Sequence, residues 1–247
     1  MTRTRYHNPV LLRESVDGLA IKPGGVYVDV TFGGGGHSRE ILTRLGPEGR
    51  LFAFDQDMDA RENAPEDRRF QWIGANFRFV KQYLKFYGIL KVDGILGDFG
   101  VSSHQFDQAE RGFSTRLEAN LDMRMDRQGT LTAREVLNTY SEKRLRELLH
   151  RYGELRRAGA MARAIVSARA EKPVQTTGEL NEILGPFLQR GKEFKRLAQV
   201  YQAIRMEVNG EMDALREFLL QSVSLVRPGG RLSLISYHSL EDRLVKR

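Results

Sequence analysis

The chain has 247 residues, of which 40% are hydrophobic and 29% charged, and it contains no cysteine. That balance supports a buried core. The missing thiols exclude disulfide partners, zinc ribbons, iron–sulfur clusters and thiol catalysis, and five scattered histidines leave no dedicated metal site to expect. No window nears the roughly 18 unbroken apolar residues of a membrane span. The N-terminus lacks the apolar core of a signal peptide, so cytoplasmic residence is the simplest expectation. Net charge is +7, and Tyr140 to Arg205 alone holds 14 Lys/Arg against 7 Asp/Glu. One contiguous stretch of the chain therefore carries the whole excess. Such a surface suits phosphate; solvated Arg-rich helices are the plainer alternative.

In chain order, Val26 to Thr31 is β-branched and aromatic between Pro23-Gly24-Gly25 and Gly33, which predicts a buried strand. Ser38 to Leu45 places Ile41, Leu42 and Leu45 on one helical face. Leu51 to Asp55 and, more weakly, Phe70 to Ile73 read as strands. Phe79, Tyr83 and Tyr87 repeat at helical spacing, and Val92 to Asp98 is a fourth strand. This alternation predicts parallel βαβ units with helices on both faces. The pattern then turns helical. Thr132-x-x-Glu135 and Thr176-x-x-Glu179 are capping boxes, and helices are expected over Leu155 to Ala170 and Lys195 to Asn209. Met212, Leu215, Phe218, Leu219 and Val223 mark one more amphipathic helix. Arg227 to Gly230 reads as a turn into a fifth strand, Arg231 to Tyr237. The expected organisation is a discontinuous core, residues 1–106 and 211–247, around a helical insertion, 107–210.

Four glycines, Gly33 to Gly36, follow the first strand, and Asp55 ends the second. Glycines let backbone approach a ligand, and a carboxylate at that place accepts hydrogen bonds from ribose hydroxyls. The dinucleotide fingerprint fails, because Ser38 or Arg39 stands where its third glycine belongs. A ligand with a ribose and no pyrophosphate, such as S-adenosylmethionine, fits better; a Gly-rich turn without a ligand is the competing reading. The fourth strand ends in Asp98-Phe99 at the same crevice. There Asp98 suits a hydrogen bond from an exocyclic amine, and Phe99 suits packing on its base. A cap on Ser102 or Ser103 is the alternative for Asp98.

These residues carry a close resemblance. The sequence resembles the bacterial small-subunit ribosomal-RNA cytosine-N4 methyltransferases of the MraW/RsmH type. The matching stretches include His7-x-Pro9-Val10-Leu11-Leu12, Tyr27-Val28-Asp29-x-Thr31-Phe32-Gly33-x-Gly35-Gly36-His37-Ser38 and Asp93-Gly94-Ile95-Leu96-x-Asp98-x-Gly100-Val101-Ser102-Ser103-x-Gln105. They go on through Glu110-Arg111-Gly112-Phe113-Ser114, Leu121-Asp122-Met123-Arg124-Met125-Asp126, Gln202-Ala203-x-Arg205, Val208-Asn209-x-Glu211 and Ile235-Ser236-x-His238-Ser239-Leu240-Glu241-Asp242-Arg243. In small departures, Gly97 and Phe99 flank Asp98 where the family has an aliphatic or Ala and a Leu.

The resemblance implies a class I S-adenosylmethionine-dependent methyltransferase: a Rossmann-like, mainly parallel sheet with an inserted all-helical domain. The family runs several tens of residues past Lys246, so the last strands of such a sheet are expected to be missing. It implies S-adenosylmethionine as cofactor and a cytidine of the decoding region of small-subunit ribosomal RNA, or the 30S subunit, as partner. Gly33, Gly35, Gly36, His37, Asp55, Phe77, Asp98 and Gln105 are then the cofactor residues. Asp98, Phe99, Asp122 and His238 are the catalytic candidates. Arg111, Arg124, Gln202, Arg205 and Asn209 are the RNA-binding candidates, with Arg144, Arg151, Arg156, Arg157, Lys192, Lys195 and Arg196 on phosphates. Helix capping remains the alternative for His37, ordinary core for Phe77, an ion-pair cluster for Asp122–Arg124–Asp126, and helix–helix hydrogen bonding for Gln202 and Arg205. Monomer and homodimer both stay open. A binding module for ribosome assembly, and a small-molecule or DNA amine methyltransferase, are the rival functions.

Overall fold

The computed structural model describes residues 9–188 and 191–246; His7 lies outside them. The chain divides into two compact units, Met1–Ser102 with Met212–Arg247, and Ser103–Glu211. The first holds a parallel sheet of β1 (Val26–Asp29), β2 (Arg50–Asp55), β3 (Phe70–Gly74), β4 (Val92–Asp98) and β5 (Val226–Ile235). Its order is β3-β2-β1-β4-β5. The order reverses between β1 and β4, which is the switch point of a Rossmann-like sheet and opens a crevice at the carboxyl ends of those strands. The helices α1 (Leu12–Gly18), α2 (Gly36–Arg44) and α3 (Val80–Phe86) belong to the same unit.

The second unit is built from α4 (Ser103–Asp107), α5 (Ala133–Thr139), α6 (Glu142–Arg151), α7 (Ala158–Glu171), α8 (Thr177–Leu184) and α9 (Glu193–Asn209). Thr132 opens α5 and Thr176 opens α8, each with both halves of a capping box in place. A single isolated bridge, Asn120 with Thr176, is the extended pairing among the described residues here. Asn209 at the end of α9 clips a loop: its Oδ1 accepts from Met125 N at 2.7 Å, and its Nδ2 donates to Met123 O at 2.8 Å and Arg205 O at 2.9 Å.

The chain returns to the first unit through α10 (Glu211–Leu225) and ends in α11 (Ser239–Val245). Strand periodicity explains how both faces are covered. Val28, Phe52, Phe54 and Ile95 point to one side and pack with Val80, Leu84, Leu215 and Phe218 of α3 and α10. Tyr27, Leu51 and Leu96 point to the other and pack with Val16, Ile41 and Leu42 of α1 and α2. No helix among the described residues is long and apolar enough to cross a membrane.

Three expectations change. The ladder runs from Val92↔Val226 to Gly94↔Arg231, so Arg227 to Gly230 bulge out inside β5 rather than preceding it. Tyr237 accordingly lies beyond the strand. In α10 the buried face is Ala214, Leu215, Phe218 and Leu225, while Val223 is 85% exposed. In α3 the buried pair is Val80 and Leu84, and Phe79 precedes the helix and is 41% exposed.

Two stability predictions follow from the packing. Phe218→Ala removes a fully buried ring and should cost about 3–5 kcal/mol in urea unfolding. Asn209→Ala strands a backbone N–H and a carbonyl and should cost about 1–3 kcal/mol, against less than about 0.5 kcal/mol for Lys195→Ala on the surface.

Candidate active site

The end of β1 is organised by one buried acid. Asp29 is wholly buried, and its Oδ1 accepts from Thr31 N at 3.1 Å while Oδ2 accepts from Ser38 Oγ at 2.7 Å. Burial pushes this carboxyl up, and the hydrogen bond from Ser38 opposes that shift. Between those two anchors the backbone turns through Gly33 at φ 49° and Gly35 at φ 74°, where side chains are strained. Space is short as well: a Cβ on Gly35 would meet the Phe32 ring at 2.8 Å, and one on Gly36 would meet Pro9 at 2.1 Å.

Asp55 closes the loop from the neighbouring strand. Its Oδ2 accepts from Gly33 N at 2.7 Å and its Oδ1 from Asp57 N at 2.8 Å. Burial drives this carboxyl up to about 6, further than those two amides pull it down. A carboxylate offers about four acceptor positions, so two remain for other donors.

Asp98 sits across the switch point. Its N–H donates to Thr31 Oγ1 at 2.6 Å, and its Oδ1 accepts from the Tyr237 hydroxyl at 2.7 Å. Its Oδ2 faces His37 Nδ1 at 4.0 Å, too far for a hydrogen bond. His37 is buried, with Nε2 3.2 Å from Val10 O. Burial raises Asp98 first of all, and the Tyr237 hydroxyl works against it. The alternative for Asp98 that named Ser103 involves a side chain outside the described residues.

Two aromatic assignments need separating. Phe99 is 4% exposed and stands in the core, 5.6 Å from the Phe77 ring and 6.0 Å from Phe218. Its ring is engaged in packing against these two rings, where a stack on a base was expected. Phe77 belongs to the same cluster but stays only partly buried. The aromatic beside Asp98 is Tyr237, expected from its sequence only as the end of a strand. The register explains it. Asp98 pairs with Ile235 across β4 and β5, and Tyr237 follows two residues later on the same edge. His238 caps α11, its Nδ1 accepting from Glu241 N at 3.3 Å. Its Nε2 lies 3.0 Å from Glu241 Oε1 but out of line for a hydrogen bond.

In the helical unit most of the RNA candidates are committed internally. Arg111 is 3% exposed and donates to Arg124 O at 2.9 Å and Met125 O at 3.1 Å. Arg124 grips Asp122 through two parallel bonds of 2.8 and 2.7 Å. Burial alone would raise Asp122, but these bonds outweigh it and hold the carboxyl below its usual range. Gln202 donates to Tyr152 O at 3.0 Å, and Arg205 forms a fork with Glu211 at 2.7 and 2.8 Å. Gln105 is buried in α4. Arg111, Gln202, Arg205 and Asn209 thus each make hydrogen bonds within the unit, as polar groups shielded from water require. Among the phosphate candidates, Arg144 pairs with Glu207 at 3.0 Å and Arg196 with Gln199 at 3.0 Å. Arg151 and Arg157 stack on Tyr152 and Phe187. Arg156, Lys192 and Lys195 are exposed, with no ion pair among the described residues.

Residues 4–247 match the model of the MraW methylase family. The protein called Ribosomal RNA small subunit methyltransferase H in Christiangramia forsetii is 64% identical over 247 residues, covering 100% of this chain and 82% of that one. The protein of the same name in Flavobacterium johnsoniae is 62% identical over 246 residues, with 100% and 82% covered. The parallel sheet, its switch point and the glycine turn after β1 fit a class I methyltransferase core. The chain belongs to the MraW methylase family.

Proposed function

We propose that the protein transfers a methyl group from S-adenosylmethionine to N4 of a cytidine in the decoding region of small-subunit ribosomal RNA. The observation that carries this reading is the edge at the β1–β4 switch point, where Gly33 to Gly36, Asp55 and Asp98 come together. Family membership and the names of the relatives support a ribosomal-RNA substrate.

The residues present suit the cofactor. The glycine turn leaves backbone open to an approaching ligand, and Asp55 is a shielded carboxylate with unfilled acceptor positions that ribose hydroxyls complete. His37, next to the glycine turn and 4.0 Å from Asp98, and Phe77, packed on Phe99, are proposed to line the cofactor. When bound, S-adenosylmethionine supplies an electrophilic methyl on a sulfonium sulfur. The chain supplies alignment and a proton acceptor. The cytosine amine is a weak nucleophile because its lone pair is delocalised into the ring. Asp98 Oδ2 would accept a hydrogen bond from that amine and localise the pair, then take the proton that N4 sheds as the N–C bond replaces the methyl–sulfur bond and the sulfur departs as a neutral thioether. Orientation provides much of the remaining rate. Reaching the amine requires the base to leave its stack, as single-stranded RNA allows. The helical unit, with its surplus of basic residues, is the part proposed to hold RNA, through phosphate contacts of Arg156, Lys192 and Lys195.

Tritiated-methyl incorporation into small ribosomal subunits lacking the modification tests the reaction, and an inactive wild type would refute it. Asp98→Ala should lower kcat by about a hundredfold or more while the urea midpoint stays near wild type. Cofactor affinity should also depend on pH. Ribose donors favour the ionised form of Asp55, so binding is strongest above pH 6 and weakens as pH falls through about 6. Calorimetry at pH 5 should give a dissociation constant roughly tenfold weaker than at pH 7.5. Asp55→Asn should bind weakly with little difference between the two.

A further inference from the structure

We propose that Tyr237 is the positioning residue that presents Asp98 and the target base to each other. Its hydroxyl fixes one oxygen of Asp98, and its exposed ring is the platform on which the unstacked cytosine lies. The proposal rests on the methyl-transfer reading above and assigns a role to a residue that the quoted family motif passes over.

The geometry makes three points. First, the hydroxyl of Tyr237 donates to Asp98 Oδ1 at 2.7 Å, while Oδ2 makes no hydrogen bond among the described residues. One oxygen is thereby held and the other is left for an amine N–H. A base carrying a carbonyl at that place, as uracil does, meets lone pair with lone pair and is rejected. Second, the ring is 54% exposed, unusual for an aromatic with a polar tether to a shielded carboxylate. Third, the backbone is shaped to receive the ring. Gly100 has φ 134°, and a Cβ there would lie 3.2 Å from Tyr237 Cδ2. The ring therefore rests against bare backbone, and its remaining surface is free to stack. The start of the residue is anchored too, since Tyr237 N donates to Glu241 Oε2 at 2.9 Å. Phe99 cannot share this role, because it is buried in the core.

The tether also has an electrostatic effect. Asp98 is faced by His37 from α2, Asp29 from β1, Glu241 from α11 and Tyr237. Burial and the two acids raise it; the phenol and the imidazole oppose that. Burial first, and then the Asp98 carboxylate, raise the phenol itself, so it stays a donor. Losing the hydroxyl moves Asp98 upward.

The test compares Tyr237→Phe and Tyr237→Leu in the full chain, with methyl transfer to unmodified small subunits measured across pH. Tyr237→Phe keeps the platform and loses the tether. It should leave KM for the subunit within about twofold, lower kcat by about tenfold near pH 7, and shift the acid limb of the kcat profile to higher pH. Tyr237→Leu loses both, and should add a rise in KM of roughly 10- to 100-fold. Circular dichroism and the urea midpoint serve as the folding control and should stay near wild type for both. An unmoved acid limb in Tyr237→Phe, or an unchanged KM in Tyr237→Leu, overturns the role of Tyr237 while leaving the methyl-transfer reading intact. A wild type that methylates no subunit removes that reading, and the role of Tyr237 with it.

Discussion

Asp29 is the group on which the site depends. It is wholly buried at the last residue of β1, and its two oxygens hold Thr31 N and Ser38 Oγ. An unpaired carboxylate in such a place is costly, so the backbone on both sides of the glycine turn must come to it. Thr31 is thereby set where its hydroxyl accepts from Asp98 N. Ser38 is set where the first turn of α2 carries His37 beneath Asp98. The acid on β2, Asp55, then ties Gly33 from the other side. Three carboxylates on three adjacent strands thus define one edge; Asp29 is wholly buried, while Asp55 and Asp98 stay partly open to solvent.

The same logic of pairing explains why the helical unit looks less like a binding surface than its composition suggests. Arg111, Arg124, Arg205 and Asn209 stand at motif positions, yet each is held by backbone carbonyls or by a carboxylate within the unit. Arginine's planar fork is well suited to such duty. The solvated cations on the surface, Arg156, Lys192 and Lys195, are the ones proposed for phosphate, a contribution that is electrostatic and sequence-independent.

Phe99 and Tyr237 show how the sheet chooses between neighbours. Both aromatics come from strand ends at the same edge. Phe99 directly follows β4, and its ring turns into the cluster with Phe77 and Phe218. Tyr237 lies two residues past the rung that pairs Ile235 with Asp98, and its polar tip finds the carboxylate while its ring stays wet. A phenol suits that divided environment, with its hydroxyl on the carboxylate and its ring against solvent. Tyr237 stood in view as an aromatic at the end of the last strand, and only its register against β4 disclosed its neighbour.

Local pattern alone located the strands and most of the helices, because burial on both faces of a parallel sheet leaves runs such as Val92 to Asp98, and capping boxes announce helix starts at Thr132 and Thr176. It also picked out the glycine turn, Asp55 and Asp98, since turn chemistry and strand-end acids depend on residues close in the chain. Tertiary structure decided the rest: which aromatic is core, which arginines are spent, and that Arg227 to Gly230 bulge within β5. Those outcomes turn on pairing between residues far apart in sequence, such as Asp98 with Tyr237 and Met125 with Asn209. A buried polar group takes whichever partner the folded chain brings within about 3 Å, and no local periodicity encodes which one that is.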